Sequence, residues 1–270
     1  MINKKIGIIG CGNMGEAIFS RLAQVMDKST ALMVSEMDAA RRDAILAKYK
    51  IIVEIDNNYV VKYSDVIILA VKPKDLESVL TQEICCGVSP NKLLISIAAG
   101  ITTKHIENTV GKDIPVIRVM PNMPAIIGEA ISSISAGTSA NREHMETARE
   151  IFSMIGDVVE VDEKMVDAVT AISGSGPAYF FYFIEMLIDA AKKLKLDPKT
   201  AEMLAVKTAI GSAKLLDALK EEPESLRRRV TSKGGTTEAA LKVFNKKKLK
   251  EIVRAATAEA CKRSKELSKG

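Results

Sequence analysis

The chain has 270 residues, a net charge of +5, 47% hydrophobic and 27% charged residues, which allows one large or two modest folded domains and excludes a disordered chain. The charge is uneven, since residues 220–270 hold 15 Lys/Arg against 7 Asp/Glu and leave the first 219 residues at −3. The basic clusters RRR (227–229) and KKKLK (246–250) have only Phe244 nearby, so they read as solvated faces and not as a stacking platform for nucleic acid.

The first predicted strand, KIGIIG, runs into GCGNMG (10–15), which has the G-x-G-x-x-G form. A helix follows from Asn13 with Met14, Ala17, Ile18 and Leu22 on one face. That strand–turn–helix context makes the match a dinucleotide-binding turn: Gly10 permits the tight bend, Gly12 admits the pyrophosphate, and Gly15 lets the helix pack on the strand. ALMVS is the second strand, ending in Val34, Ser35 and Glu36. The Glu36 carboxylate can accept hydrogen bonds from ribose hydroxyls and would repel a 2′-phosphate, which leans the cofactor toward NADH over NADPH without excluding dual use. Arg41 and Arg42, in the next predicted helix through 39–48, would favour NADPH, but their helical spacing points them to water.

DVIILAV (65–71), LLISIA (93–98) and PVIRVM (115–120) are continuous apolar runs, the pattern of parallel strands buried on both faces. AISSISAG (130–137) and GDVVEVD (156–162) predict two more strands around a charged helix from about Asn141 to Met154. This rhythm makes the first part an α/β doubly wound sheet. After Asp162 the strand signals stop, and Gly174–Pro177, Asp197-Pro198 and Pro223 punctuate a helical remainder. The pattern therefore predicts a dinucleotide-binding domain over 1–162 and a helical domain over 163–270, packed closely with the ligand site between them.

Within the helical part, AYFFYFIEMLIDAA (178–191) is interrupted by Glu185 and Asp189 and is too short to span a bilayer. A helix so apolar around its circumference belongs in a domain core or a subunit interface. Cys11, Cys85, Cys86 and Cys261 show no C-x-x-C spacing and no secretory leader precedes them, so neither zinc nor disulfides are expected and the location reads as cytoplasmic. His105 and His144 lie in charged amphipathic stretches and read as surface residues. The histidine–carboxylate pair of hydroxy-acid dehydrogenases therefore has no candidate. A protonated cyclic imine suits such a chain, because its carbon is already electrophilic and its nitrogen already carries a proton.

VTSKGGTTEAAL (230–241) places two glycines and four hydroxyl residues at a helix start, which is an anion site in outline. Together GCGNMG, AVKP (70–73), SIAAG (96–100), RVMPNMP (118–124), TAISGSGPAY (170–179) and VTSKGGTTEAAL, in this order, closely resemble pyrroline-5-carboxylate reductase over essentially the whole chain. The resemblance implies a Rossmann-type amino-terminal domain, an all-helical domain through which subunits dimerise and can build larger rings, and reduction of 1-pyrroline-5-carboxylate to L-proline by NADPH or NADH. It places Cys11, Gly12, Asn13 and Met14 on the pyrophosphate, Asn57 near the adenosine, and Ala70, Lys72, Ala98, Ala99 and Gly100 along the cofactor. Met120, Pro121 and Asn122 would edge the nicotinamide pocket. Ser232, Gly235, Thr236 and Thr237 would grip the substrate carboxylate, with the Thr237 hydroxyl near the ring nitrogen as the catalytic contact, and no metal takes part. Two positions depart from the family pattern, with Lys233 and Met123 standing where proline and threonine are usual. Gly174 and Gly176 also fit a close packing point. A β-hydroxyacid dehydrogenase would need a lysine early in the long helix, where none precedes Lys192. A non-catalytic dinucleotide sensor would not need the anion loop.

Overall fold

The structure is a computed structural model that describes residues 4–26, 32–51, 53–111 and 113–268. Its centre is a seven-stranded sheet of β1 (Ile6–Ile9), β2 (Leu32–Ser35), β3 (Val66–Leu69), β4 (Leu93–Ser96), β5 (Val116–Met120), β6 (Ala130–Ala136) and β7 (Gly156–Glu160), in the order β2-β1-β3-β4-β5-β6-β7. The first five strands are parallel, and the expected apolar runs form β3, β4 and most of β5 with their residues buried. β6 turns back antiparallel to β5. The link between them holds only a 3₁₀ turn, Met123–Ile127, and a parallel return needs a longer crossover. Between β6 and β7 a full helix intervenes, and those strands are parallel.

The helices α1 (Asn13–Val25), α2 (Ala39–Tyr49), α3 (Asn57–Tyr63), α4 (Pro73–Ser78), α5 (Thr103–Val110) and α6 (Arg142–Phe152) cover both faces of the sheet. Ile18, Phe19 and Leu22 of α1, Ile45 of α2 and Ile151 and Phe152 of α6 pack on one face with Ile8, Ile68 and Ile95. Val60 and Val61 of α3, Leu76 of α4 and Ile106 of α5 pack on the other with Ile67, Leu69 and Leu94. A 3₁₀ turn (Glu163–Met165), α7 (Val166–Val169) and a π turn (Thr170–Gly174) follow β7.

The chain divides into two compact units, Met1–Ser175 with Ala260–Gly270 and Gly176–Glu259. The second is helical: α8 (Gly176–Lys193), α9 (Pro198–Leu219), α10 (Pro223–Arg229), α11 (Thr236–Lys246) and the greater part of α12 (Leu249–Leu267). The predicted breaks lie where expected, with Asp197 accepting from the Thr200 N–H at 3.1 Å and Pro198 and Pro223 in the first turns of α9 and α10. The aromatic run of α8 is not enclosed by its own chain: Phe180, Phe181 and Tyr182 are 68%, 63% and 62% exposed. Of the two places such a helix could belong, a subunit interface is the one that fits. No helix among the described residues is long and apolar enough to cross a membrane.

Candidate active site

The dinucleotide turn stands at the carboxyl end of β1. Gly10 has φ +88°, and its N–H donates to the Ser35 carbonyl at 2.9 Å, which binds the turn to β2. A Cβ on Gly15 would lie 2.3 Å from the Gly10 carbonyl oxygen, so α1 meets the turn at a distance only glycine allows. Beside Gly12 there is open space, with none of the described atoms within 4 Å of where a Cβ would stand. No side chain caps the N-terminus of α1. An open glycine at an uncapped helix start is a cradle for a pyrophosphate, and the residues present fit a nicotinamide dinucleotide.

Two clefts open from this turn. One of about 530 Å³ is lined by Gly10, Gly12, Glu36, Asn57, Ala70 and Lys72, together with Lys74 and Glu83. The other, of about 700 Å³, has Asn13, Met14, Ala98 and Ala99 in its wall with Met120 and Pro121, and shares Gly12, Glu36, Ala70 and Lys72. The fold thus gathers most of the expected cofactor residues, which come from the ends of β1 to β5. Cys11, Gly15, Gly100 and Asn122 are buried and line neither cleft.

Cys11 is buried, and burial first, then the nearby Glu16 and Glu36, push its thiol up to about 12 against the opposing pull of Arg41. Burial of this kind keeps a thiol protonated, and the hydrogen bonds of Cys11 run through its backbone. Its N–H donates to Glu36 Oε2 at 2.8 Å, and its carbonyl accepts from Arg41 Nε at 2.9 Å. Glu36 Oε1 accepts the Asp38 N–H at 3.0 Å, while Arg42 donates to the Glu36 and Met37 carbonyls at 2.8 and 2.7 Å. Neither arginine therefore points to water as their spacing suggests. Arg41 reaches back to the dinucleotide turn and lines the second cleft, while Arg42 folds onto the carbonyls of the β2–α2 turn itself. Arg41 also pairs with Glu16, which accepts from Lys48 Nζ at 2.7 Å and the Tyr49 hydroxyl at 2.9 Å. Burial raises the Glu16 carboxyl, but the hydrogen bonds from Lys48 and Tyr49 and the two cationic charges outweigh it and hold the group below its ordinary value.

Asn57 is buried in the first turn of α3 and donates to Glu83. Asn122 has both polar ends engaged in the fold, Nδ2 donating to the Ser173 carbonyl at 3.1 Å and Oδ1 accepting the Ile131 N–H at 3.0 Å. It fastens the Met120–Pro121 wall to β6 and to the π turn. A Cβ on Gly174 would lie 2.9 Å from the Met120 methyl, so that glycine is a packing point, whereas none of the described atoms crowds Gly176. Beneath the wall, Arg118 is 4% exposed and donates to Glu163 at 3.3 Å, and Glu163 accepts from the Thr103 N–H and hydroxyl at 2.7 Å each.

In the helical unit, the expected anion loop takes a definite shape. The Gly235 N–H donates to the Ser232 carbonyl at 3.0 Å and Gly234 has φ +74°, which makes Ser232–Gly235 a type II turn with Lys233 in its second position. α11 then starts at Thr236 behind Gly235, with no side-chain cap. Ser232 and Thr236 are exposed and Thr237 half-buried. Glu238 Oε2 accepts the Gly234 N–H at 2.9 Å, and that bond first, then Lys242, holds its carboxyl below the ordinary range. The turn is thus held by its own helix while the first-turn N–H groups and three hydroxyls stay available.

The histidines lie in neither cleft. His105 Nε2 meets Glu77 at 2.7 Å, and His144 Nδ1 accepts the Asn141 N–H at 3.1 Å in a capping box at the start of α6. Among the described residues no group of three or more His, Cys, Asp or Glu is placed to hold a metal ion.

Comparison with known proteins accounts for the whole chain. The profile of pyrroline-5-carboxylate reductase dimerisation matches residues 163–267, and that of NADP oxidoreductase, coenzyme F420-dependent, matches residues 5–100. The pyrroline-5-carboxylate reductase of Pseudomonas aeruginosa is 37% identical over 269 residues, 99% of this chain and 98% of its own. The solved structure of a pyrroline-5-carboxylate reductase from Coxiella burnetii superposes with a TM-score of 0.92 at 33% identity over 100% of both chains. That of the Plasmodium falciparum pyrroline carboxylate reductase with NADP bound gives 0.86 at 31% identity over 99% of each. Relatives aligned along nearly the whole chain, the superposed structures and the dimerisation profile agree, and the chain belongs to the pyrroline-5-carboxylate reductase family.

Proposed function

We propose that this chain transfers hydride from NAD(P)H to the C=N bond of 1-pyrroline-5-carboxylate to give L-proline, the last step of proline biosynthesis. The observation that carries the reading is the pairing, in one chain, of an open glycine turn at one uncapped helix and a hydroxyl-rich turn at another. Gly12, Asn13 and Met14 would hold the dinucleotide, with Ala98 and Ala99 across the second cleft. Bound NAD(P)H supplies the hydride. Ser232, Gly235, Thr236 and Thr237 take the substrate carboxylate at the positive end of α11, and the Thr237 hydroxyl orients the ring nitrogen. As the new C–H bond forms at the imine carbon, the π pair moves onto a nitrogen that already carries its proton. No side chain has to deliver a proton in that step, in keeping with the placement of both histidines away from the clefts.

In this reading residues 1–162 serve the cofactor, and residues 163–270 serve substrate and dimer, with dimers free to assemble into a ring. Four cysteines outside any disulfide agree with a cytoplasmic setting. NADH is used at least as well as NADPH, because Glu36 stands in both clefts. The test is oxidation of each reduced cofactor by the purified protein with 1-pyrroline-5-carboxylate, for the wild type and Glu36→Ala. Turnover is expected, with the variant shifted toward NADPH in kcat/KM. Cofactor binding without turnover would favour a sensor, and a wild-type NADPH preference above roughly tenfold, about 1.4 kcal/mol, would assign the choice to Arg41 and Arg42.

A further inference from the structure

The last turns of α12 belong to the sheet unit, where they meet the loop between β4 and α5. A Cβ on Gly100 would lie 3.0 Å from the Leu267 carbonyl oxygen and 3.2 Å from the Leu267 Cβ. Gly100 has φ +77°, so both its conformation and the approach of Leu267 exclude a side chain there. One turn back along α12, Ser264 is 6% exposed and donates to Asp167 Oδ1 at 2.7 Å. Ser268 closes the helix end by donating from Oγ to the Ser264 carbonyl at 3.0 Å. Asp167 lies in α7, just after the Glu163 carboxylate that holds Thr103. The loop is therefore fixed at Thr103 by Glu163 and backed at Gly100 by Leu267. Its Ile97, Ala98 and Ala99 form part of the second cleft wall.

We infer that the carboxyl-terminal turns of α12, latched by the Ser264–Asp167 hydrogen bond, are a positioning element for the NAD(P)H site. They set the height of the Ala98–Gly100 wall by backbone apposition at Gly100, and neither Ser264 nor Asp167 lines either cleft. A wall with no polar side chains of its own depends on such backing, because small shifts in its backbone change how the dinucleotide seats. This inference rests on the reading that the cleft takes NAD(P)H, and does not depend on which imine is reduced.

The test is titration of the full chain with NADH and NADPH, followed by nicotinamide fluorescence with no substrate present. Ser264→Ala and Asp167→Ala are each expected to raise Kd three- to tenfold, and their combination no further than the larger single effect. Asp167→Asn, which keeps an oxygen to accept the Ser264 hydroxyl, should bind as the wild type does. Substrate KM at saturating cofactor, dimer mass and thermal midpoint should stay near wild type in all of them. Unchanged Kd in both alanine variants overturns the inference. So does a loss of binding that tracks a fall in the thermal midpoint, or an Asp167→Asn variant as weak as Asp167→Ala. A wild type that binds NAD(P)H but leaves 1-pyrroline-5-carboxylate untouched overturns the functional reading alone, and one that binds neither nucleotide overturns both.

Discussion

Thr237 stands in the first turn of α11, half-buried, on the anion loop that Glu238 and the Ser232–Gly235 turn hold in shape. A hydroxyl so placed costs little to orient, because the backbone around it is already fixed. Thr237→Ala should lower kcat/KM for 1-pyrroline-5-carboxylate by about 1.5–3 kcal/mol, the scale of a hydrogen bond to a charged group, with NAD(P)H affinity nearly unchanged. His105→Ala and His144→Ala should leave turnover near wild type. Steady-state kinetics on the three variants separates the cases, and a folded histidine variant without activity would reveal a missed proton donor. The turn and helix start of this loop were legible from SKGGTTE, whereas the engagement of Glu238 with Gly234 and of Glu36 with Cys11 was not. The second bond joins residues from two different strand ends, and nothing in local spacing specifies it. Helical periodicity points Arg41 and Arg42 to water because it describes their own helix alone: it says nothing of the dinucleotide turn that Arg41 meets or of the turn carbonyls that Arg42 closes onto.

At the scale of elements, two starts of helices invite measurement. Lys233 occupies the second position of a type II turn, where proline's fixed φ suits the backbone and fewer unfolded conformations are lost on folding. Lys233→Pro should therefore stabilise the protein by about 0.4–1 kcal/mol in denaturant unfolding, and a loss of stability would mean that the lysine N–H or its charge is needed. The capping box of α6 needs the His144 Nδ1 unprotonated to accept the Asn141 N–H. Burial first, then Lys4, holds this imidazole below its ordinary value against the pull of Glu143. A base whose folded pKa is depressed contributes stability above its unfolded pKa, about 6.5, and that contribution disappears as pH falls through the lower folded value. His144→Gln keeps an acceptor at the same position and should flatten this part of the stability profile between neutral and mildly acidic pH. Unfolding curves at stepped pH check the slope, and an identical slope in the variant would place the titration elsewhere.

For the molecule as a whole, the decisive feature is apolar surface that one chain leaves open. Phe180, Phe181 and Tyr182 on α8 are largely exposed in the single chain, alongside Met203 and Leu204 of α9. Exposed aromatic surface of this kind is covered by a second copy in a protein that carries a dimerisation domain. Light scattering at micromolar concentration should give at least twice the chain mass of 29.3 kDa. Phe181→Glu should shift the population toward monomer, by placing an unpaired charge in that face. A wild-type monomer under those conditions would show that the face is satisfied in another way.

Residue order alone dictated β3 and β4, because unbroken Ile and Val runs suit strands covered on both faces, and it dictated the two glycine turns, because each fits few conformations. Helix starts at Asp197-Pro198 and Pro223 were equally local. Only tertiary packing decided that Arg41 of α2 would return to the dinucleotide turn, that Asn122 would spend its amide inside the fold, and that Leu267 would settle against Gly100. Those contacts join segments far apart in the chain, and their partners are selected by the path of the backbone through the sheet, which no local pattern of residue types encodes.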